Sequence, residues 1–496
     1  MKNIIKITFT IILMVAFLPV QGSSMSKNDK SDLTILYVGT NPDKPLSKRD
    51  KAYALDTVRV IEMQKNRASD FKAFLSQYFN TVKVVYGEDY KENMSASYDV
   101  TIIDTYLTAF AGGRKKDPET GEMIYERRQF LTEAYNHATI MIGEPSAFIG
   151  EGRQLKIDHL CLCLDAHAHG MKVKHPIFNK PFKVEMLKED VKLTGNYHAR
   201  YGGRNLGESM PMWRIQTEGY RDGKGFPVGL VSAGYGFDNG IDAEWISSGT
   251  CDKGIEATAI GRHANFLHWG FAAAPEYLTE SAKLAFINTI HYIAPFKGAK
   301  QITRKIKGTQ LREYLREQQW TVSDQGSAAW LAYLEEGNKK FNKQKEEIQA
   351  KKDRGENLSE RDEMVLQMPE RKETRIWTIR HEPQEMKDKH GEDWAAYENR
   401  YKENMDYFYA IKGAWYKTAI DEDAKALGIP NSDIKLIDKA IKMLKKGEKV
   451  EMAKRILARY TKESFETATE WSNWFKSNKK KLYFSEGDGY KYIVLP

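Results

Sequence analysis

Residues 33–40 read LTILYVGT, an apolar run broken only by Thr34 and closed by Gly39 and Thr40. A run this short, rich in β-branched and aromatic residues, predicts a strand buried on both faces. What flanks it decides the fold. AYALDTVRVIEMQKNRASDFKAFLSQYF (52–79) has a helical pattern, with Phe71, Phe74, Leu75, Tyr78 and Phe79 on one face. TVKVVYG (81–87) and YDVTIIDT (98–105) then read as a second and a third strand. A charged, Gly-containing excursion follows (111–123), then a helix expected from Tyr125 to His137, a fourth strand ATIMIGEP (138–145) and a fifth, HLCLCLD (159–165). Strands alternating with helices predict an α/β fold with a doubly wound, mainly parallel sheet over 31–297.

Within that region, 168–225 is irregular and Gly-rich, which suits a surface insertion. Strand character returns in FPVGLVSAGYG and again in IEATAIGRHANFLHWGF, and TESAKLAFINTIHYIA closes the region as a helix ended by Pro295. From 300 to 496 Gly thins out and helical periodicity takes over, predicting a mostly helical domain. It carries a charged arm near 337–372, three compact helices over 431–478 capped at Asn431 or Ser432, and a small C-terminal hairpin turning at Gly487-Asp488-Gly489.

The first residues, MKNIIKITFTIILMVAFLPVQGSS, place Lys2 and Lys6 before an apolar run too short to span a membrane. They predict a signal peptide over 1–22, a periplasmic or secreted protein, and no transmembrane span in the mature chain. The formal charge of +8 is dispersed among interleaved acids and bases, so no nucleic-acid footprint is present. Cys161 and Cys163, two apart on a strand and so about 7 Å apart at Cα, sit at the limit for a disulfide. Either could also meet Cys251, and the plainer expectation is that they are small buried hydrophobes.

The chain has no phosphate loop, no His-Glu-x-x-His and no Gly-x-Ser-x-Gly. Its densest set of reactive side chains is HLCLCLDAHAHGMKVKHP (159–176). Alternation puts His159, Cys161, Cys163, Asp165, His167 and His169 on one face and the aliphatic residues on the other. With the strand ending near Asp165, the trio Asp165, His167 and His169 falls at the carboxyl edge, where open α/β sheets bind ligands. These three could hold a divalent metal such as Zn, with His198, His263 or His268 as a further ligand, or perform acid–base work. Glu144 and Ser146, at the neighbouring strand end, complete the expected catalytic set. His263 and His268 have opposite parity if GRHANFLHWGF (261–271) is one strand.

YDVTIIDT, VKHPIF, NKPFKV, IGRHANFLHWGF and FINTIHYIA, in that order, resemble the trehalose-utilisation (ThuA-like) family over roughly Leu33 to Lys297. His175-Pro176-Ile177 and Gly261-Arg262 are the best of these matches. The resemblance implies a flavodoxin-like sheet of the class I glutamine-amidotransferase type, and a link to carbohydrate metabolism. Amidotransferases use a Cys in a Gly-x-Cys-x-Gly elbow, whereas the corresponding turn here is GEPSAFIG, without a thiol. Glutamine hydrolysis by a Cys-His-Glu triad is therefore not expected. Two readings remain: an enzyme acting on a carbohydrate or small polar ligand, or a non-catalytic binding or scaffold protein that recruits a protein partner through 300–496.

Overall fold

The computed structural model describes residues 29–46, 57–116, 118, 121, 123–219, 229–237, 240–370, 374–411 and 417–496. The expected signal peptide lies outside them. The predicted first strand is β1 (Ser31–Gly39), and the helical pattern after it yields α1 (Thr57–Leu75). β1 pairs in parallel with β2 (Phe79–Tyr86) on one side and β3 (Val100–Ile103) on the other. β4 (Ala111–Lys116) and β5 (Met123–Gln129) form a separate antiparallel hairpin. The helix expected over 125–137 is thus replaced by a strand at its start. Gly112 explains this: a Cβ there would lie 2.0 Å from the Arg127 carbonyl oxygen, so the bare glycine lets β5 approach.

β6 (Thr139–Ile142) extends the parallel run beside β3, and all four of its residues are buried. β7 (Cys161–Leu164) does not join this sheet. It pairs with β11 (Gly229–Val231), and the ladder breaks before β8 (His167–His169). β8 enters the main sheet with β9 (Lys188–Lys192), β10 (Ser209–Arg214) and β12 (Ala243–Gly249). Part of the supposed surface insertion is therefore sheet. The pattern concealed it because β8 is three residues long and β9 is almost entirely charged and exposed. β13 (Thr258–His263) and β14 (Phe266–Trp269) are two strands, turned back on each other at Ala264, where φ is +50°.

The result is one ten-stranded sheet, ordered β2-β1-β3-β6-β14-β13-β12-β8-β10-β9. It is parallel from β2 to β14 and antiparallel beyond, a mixed sheet rather than a mainly parallel one. α1 and α4 (Glu280–Ile293) cover one face, with Phe71 and Phe74 meeting Phe286. α2 (Pro145–Arg153) covers the other, packing Ile149 among Leu36, Val38, Met141 and Phe266. The irregular stretch before β10 contributes the short α3 (Gly195–Ala199).

After this region the chain is mostly helical, beginning with α5 (Arg312–Val322), α6 (Asp324–Asp353) and α7 (Glu360–Gln367). The charged arm is the end of α6 folded against α7, with Ile348 and Val365 among its few buried residues. β15 (Phe408–Ala410) and β16 (Thr418–Ile420) form a small ladder. Helices Lys435–Lys446, Val450–Tyr460 and Ala468–Asn478 enclose a core of Leu436, Ile437, Ile456, Leu457 and Trp471. Asn431 caps no helix. It is fully buried and donates to the Phe408 carbonyl at 2.8 Å.

The closing hairpin, β17 (Leu482–Ser485) with β18 (Lys491–Val494), reaches back to the sheet region. Glu486 binds the Arg312 guanidinium at 2.7 Å and Asp488 accepts from the Arg304 amide at 2.9 Å. Beneath this turn Lys156 is fully buried, its ammonium donating to the Arg304 carbonyl at 3.3 Å. A Cβ on Gly487 would lie 2.6 Å from that ammonium. Burial, then the charge of Lys305, lowers the Lys156 pKa to about 8. Among the described residues no helix is long and apolar enough to cross a membrane.

Candidate functional site at the carboxyl edge

The chain leaves β1 towards β2 on one side and later returns to β3 on the other, so the carboxyl ends of β1 and β3 flank a topological switch point. Thr40 and Thr105 join hydroxyls across it at 2.8 Å. Asp104, the first residue past β3, is gripped by Arg67 of α1, Nε to Oδ2 at 2.6 Å and Nη2 to Oδ1 at 2.8 Å. The third guanidinium nitrogen donates to the Ala272 carbonyl at 2.8 Å, and the Tyr37 hydroxyl donates to the same carboxylate. Burial, reinforced by the Asp104 charge, holds the Tyr37 hydroxyl pKa well above its ordinary value. Burial opposes the charge on Arg67, but Asp104 outweighs it and raises the guanidinium pKa.

Neither Asp104 nor Arg67 was singled out from the sequence, though signals existed. Asp104 is an acid placed directly after a fully buried strand. Arg67 sits four residues from both Met63 and Phe71, on the buried face of its helix.

Glu144 and Ser146, both expected at this edge, follow β6 through Gly143, whose φ of +60° suits glycine. They serve different surroundings. Glu144 is half-buried and accepts from the hydroxyl of Tyr106, the second residue after Asp104, which is 47% exposed. Tyr106 packs on Phe148 of α2, and Phe148 on Phe130, with ring centroids at 5.3 and 6.2 Å. Beside them, where the chain leaves β2 and β3, lies a cleft of about 470 Å³ lined in part by Tyr90, Lys91, Leu107, Phe110 and Phe130. That volume falls within the range of small-molecule sites, about 300–1,000 Å³.

Ser146 points inward. Its Oγ lies 2.7 Å from His268 Nδ1, and His268 Nε2 lies 3.1 Å from the Leu230 carbonyl oxygen. A carbonyl only accepts, so Nε2 carries the proton and Nδ1 is an acceptor, and the single Ser146 hydroxyl proton lies between Nδ1 and the Gly143 carbonyl, which the same Oγ also meets. Burial lowers the His268 pKa to about 4, keeping the ring neutral. Neither side chain reaches solvent.

The trio from the opening of β8 is dispersed. Asp165 lies between β7 and β8, where its Oδ1 accepts from the Ala166 amide at 2.9 Å and abuts Gly219. His167 pairs through Nε2 with Glu189, which also holds Arg214 at 2.8 Å. His169 meets the Tyr197 hydroxyl at 3.1 Å, and burial lowers its pKa to about 4. Among the further candidates, His263 accepts from the Lys156 amide at 2.8 Å and lies 3.3 Å from Asp242, while His198 is half-buried on α3. The β13–β14 turn reverses parity, so His263 and His268 share a sheet face after all. Among the described residues no group of three or more His, Cys, Asp and Glu side chains is placed to hold a metal. Cys161 and Cys163 are joined as a disulfide with Cα atoms 5.3 Å apart, rather than packed as separate thiols, and Cys251 is free and buried.

No protein-family model and no curated protein matches the chain. Among solved structures, a crystal structure from Bacteroides uniformis described as a thua-like protein shows similarity at 10% sequence identity, over 55% of this chain and 95% of that one, with a TM-score of 0.28. No statement about activity follows from a likeness at that level.

Proposed function

We propose that this chain binds a small hydroxyl-rich ligand, of the carbohydrate or polyol class, at the carboxyl edge of the parallel half of the sheet, and that it does so without a covalent nucleophile. The observation that carries this reading is the Tyr106–Glu144 pair. It sets a hydroxyl and a carboxylate side by side at the open end of two adjacent parallel strands, at the rim of a ligand-sized cleft whose lining starts at the next residue, Leu107, and mixes Tyr90, Phe110 and Phe130 with polar side chains. Hydroxyl groups both donate and accept, so a Tyr–Glu pair with rings beside it can serve a sugar or polyol on each count. Ser146, the nearest alternative to the missing thiol, is spent on a buried tie to His268. Any chemistry here would be proton transfer by Glu144.

The Cys161–Cys163 bond supports placing the protein in an oxidising compartment, in keeping with export. Titration of the protein with glucose, galactose, sorbitol and myo-inositol, followed by NMR, tests the proposal. Saturable binding of at least one, weakened tenfold or more in Glu144→Gln and Tyr106→Ala, is the expected result. Absence of saturable binding by all four, or binding untouched by both substitutions, would overturn it.

A further inference from the structure

A second cleft lies some way along the chain from this edge, between the turn after α3 and the start of the helical region. Its volume is about 490 Å³, and its walls include Tyr201, Arg316, Gln319, Trp320, Gln325 and Glu398. Tyr201 and Trp320 meet edge to face at 6.2 Å. Both rings are fixed from behind. The Tyr201 amide donates to Glu317 Oε2 at 3.1 Å, and Trp320 Nε1 donates to the Ala199 carbonyl at 2.9 Å. Arg204 lies over the Tyr201 ring at 4.0 Å and bonds its carbonyl at 2.7 Å.

The polar walls are different. Asp324 is committed to Arg375 at 2.9 Å, and Ser323 caps α6 by accepting from the Gly326 amide. Arg316, Gln319, Gln325 and Glu398 make no side-chain hydrogen bond or ion pair with any described residue. One cation and one anion balance each other, and the two amides each offer a donor and an acceptor. A phosphate would call for concentrated positive charge, and a metal for clustered anionic ligands; neither is present. Trp320 is 8% exposed and backs Tyr201, whose face away from Arg204 is the apolar wall; with balanced charge and paired amides it suits a neutral ligand whose hydroxyls donate and accept and whose C–H face lies against that ring.

We propose that this cleft is a second, separate binding site for a neutral di- or oligosaccharide. It does not depend on the carboxyl-edge site being occupied or even functional.

Cellobiose, maltose and chitobiose are the probes, titrated by calorimetry and by tryptophan fluorescence on the full chain. At least one should bind saturably, and Arg316→Ala, Gln319→Ala and Glu398→Ala should each weaken that disaccharide at least fivefold. These residues are exposed or half-buried, so the variants should keep the wild-type circular dichroism and melting temperature. Tyr201→Ala should also abolish the fluorescence change. Added to Glu144→Gln, each cleft substitution should still weaken the disaccharide at least fivefold, and this separates the two sites. If none of the three disaccharides binds saturably, the proposal fails. It fails equally if binding is lost in Glu144→Gln and retained in all three cleft variants.

Discussion

Arg67 and Asp104 meet through two parallel contacts, at 2.6 and 2.8 Å, with the side chain of Asp104 5% exposed and that of Arg67 13%. This pair ties α1, the end of β3 and, through the Ala272 carbonyl, the segment after β14 into one piece. Asp104→Asn keeps the shape and strands a buried guanidinium charge. Removing one partner of such a pair costs about 3–5 kcal/mol. The urea midpoint of Asp104→Asn should therefore fall by a large fraction of the wild-type value, with little change in slope. A midpoint within error of wild type would refute the role assigned to the pair.

Gly150 lies inside α2, where replacing glycine by alanine ordinarily stabilises a helix by about 1 kcal/mol. Here the sign reverses. A Cβ would sit 1.8 Å from the Ile157 carbonyl oxygen, a backbone atom that cannot swing aside. Gly150→Ala should destabilise by roughly 1–3 kcal/mol, as measured by thermal or denaturant unfolding. Gly337, in α6, has nothing within 4 Å of its hypothetical Cβ, and Gly337→Ala is the control that should stabilise.

His268 is neutral when folded, with a pKa near 4, and close to 6.5 when unfolded. Between those values the unfolded chain binds the extra proton. The stability this residue confers is therefore full above about pH 6.5 and is lost as pH falls towards 4. His268→Gln should be less stable than wild type at pH 7.5, with the gap narrowing by pH 4.5. A gap that widens with acidification would show that the ring is charged in the native state.

One free buried cysteine and one bonded pair predict a definite alkylation pattern. Without reductant, the native protein should take up no iodoacetamide, and the denatured protein one equivalent. After reduction and denaturation it should take up three, read by intact mass. The bonded pair closes a very short loop, so Cys161→Ser with Cys163→Ser should cost less than about 2 kcal/mol.

The legible parts of this fold are those whose signals are local. β1, α1, β2, β3 and β6 announce themselves by apolar run or helical period, and the helices after 431 do so by amphipathic spacing. β8 and β9 do not, because three residues or five mostly charged ones become strands only when distant partners arrive. At the site, Glu144 was legible as a residue following a buried strand, whereas its partner Tyr106 carries no distinguishing pattern. The Ser146–His268 contact spans 122 positions, and no spacing rule joins them. The parity argument for Asp165, His167 and His169 assumed a regular strand. The ladder breaks between Leu164 and His167, so the side chains of one parity face different neighbours.

The turn over Lys156 has a consequence for how the chain comes into being. Residues 485–488 emerge from the ribosome more than three hundred positions after the lysine they cover. Until then the Arg304 amide and the Arg312 guanidinium lack the carboxylates of Asp488 and Glu486. The join between the sheet region and the helices that follow it is therefore closed by the last strands of the sequence to be made, after both of the parts it holds together.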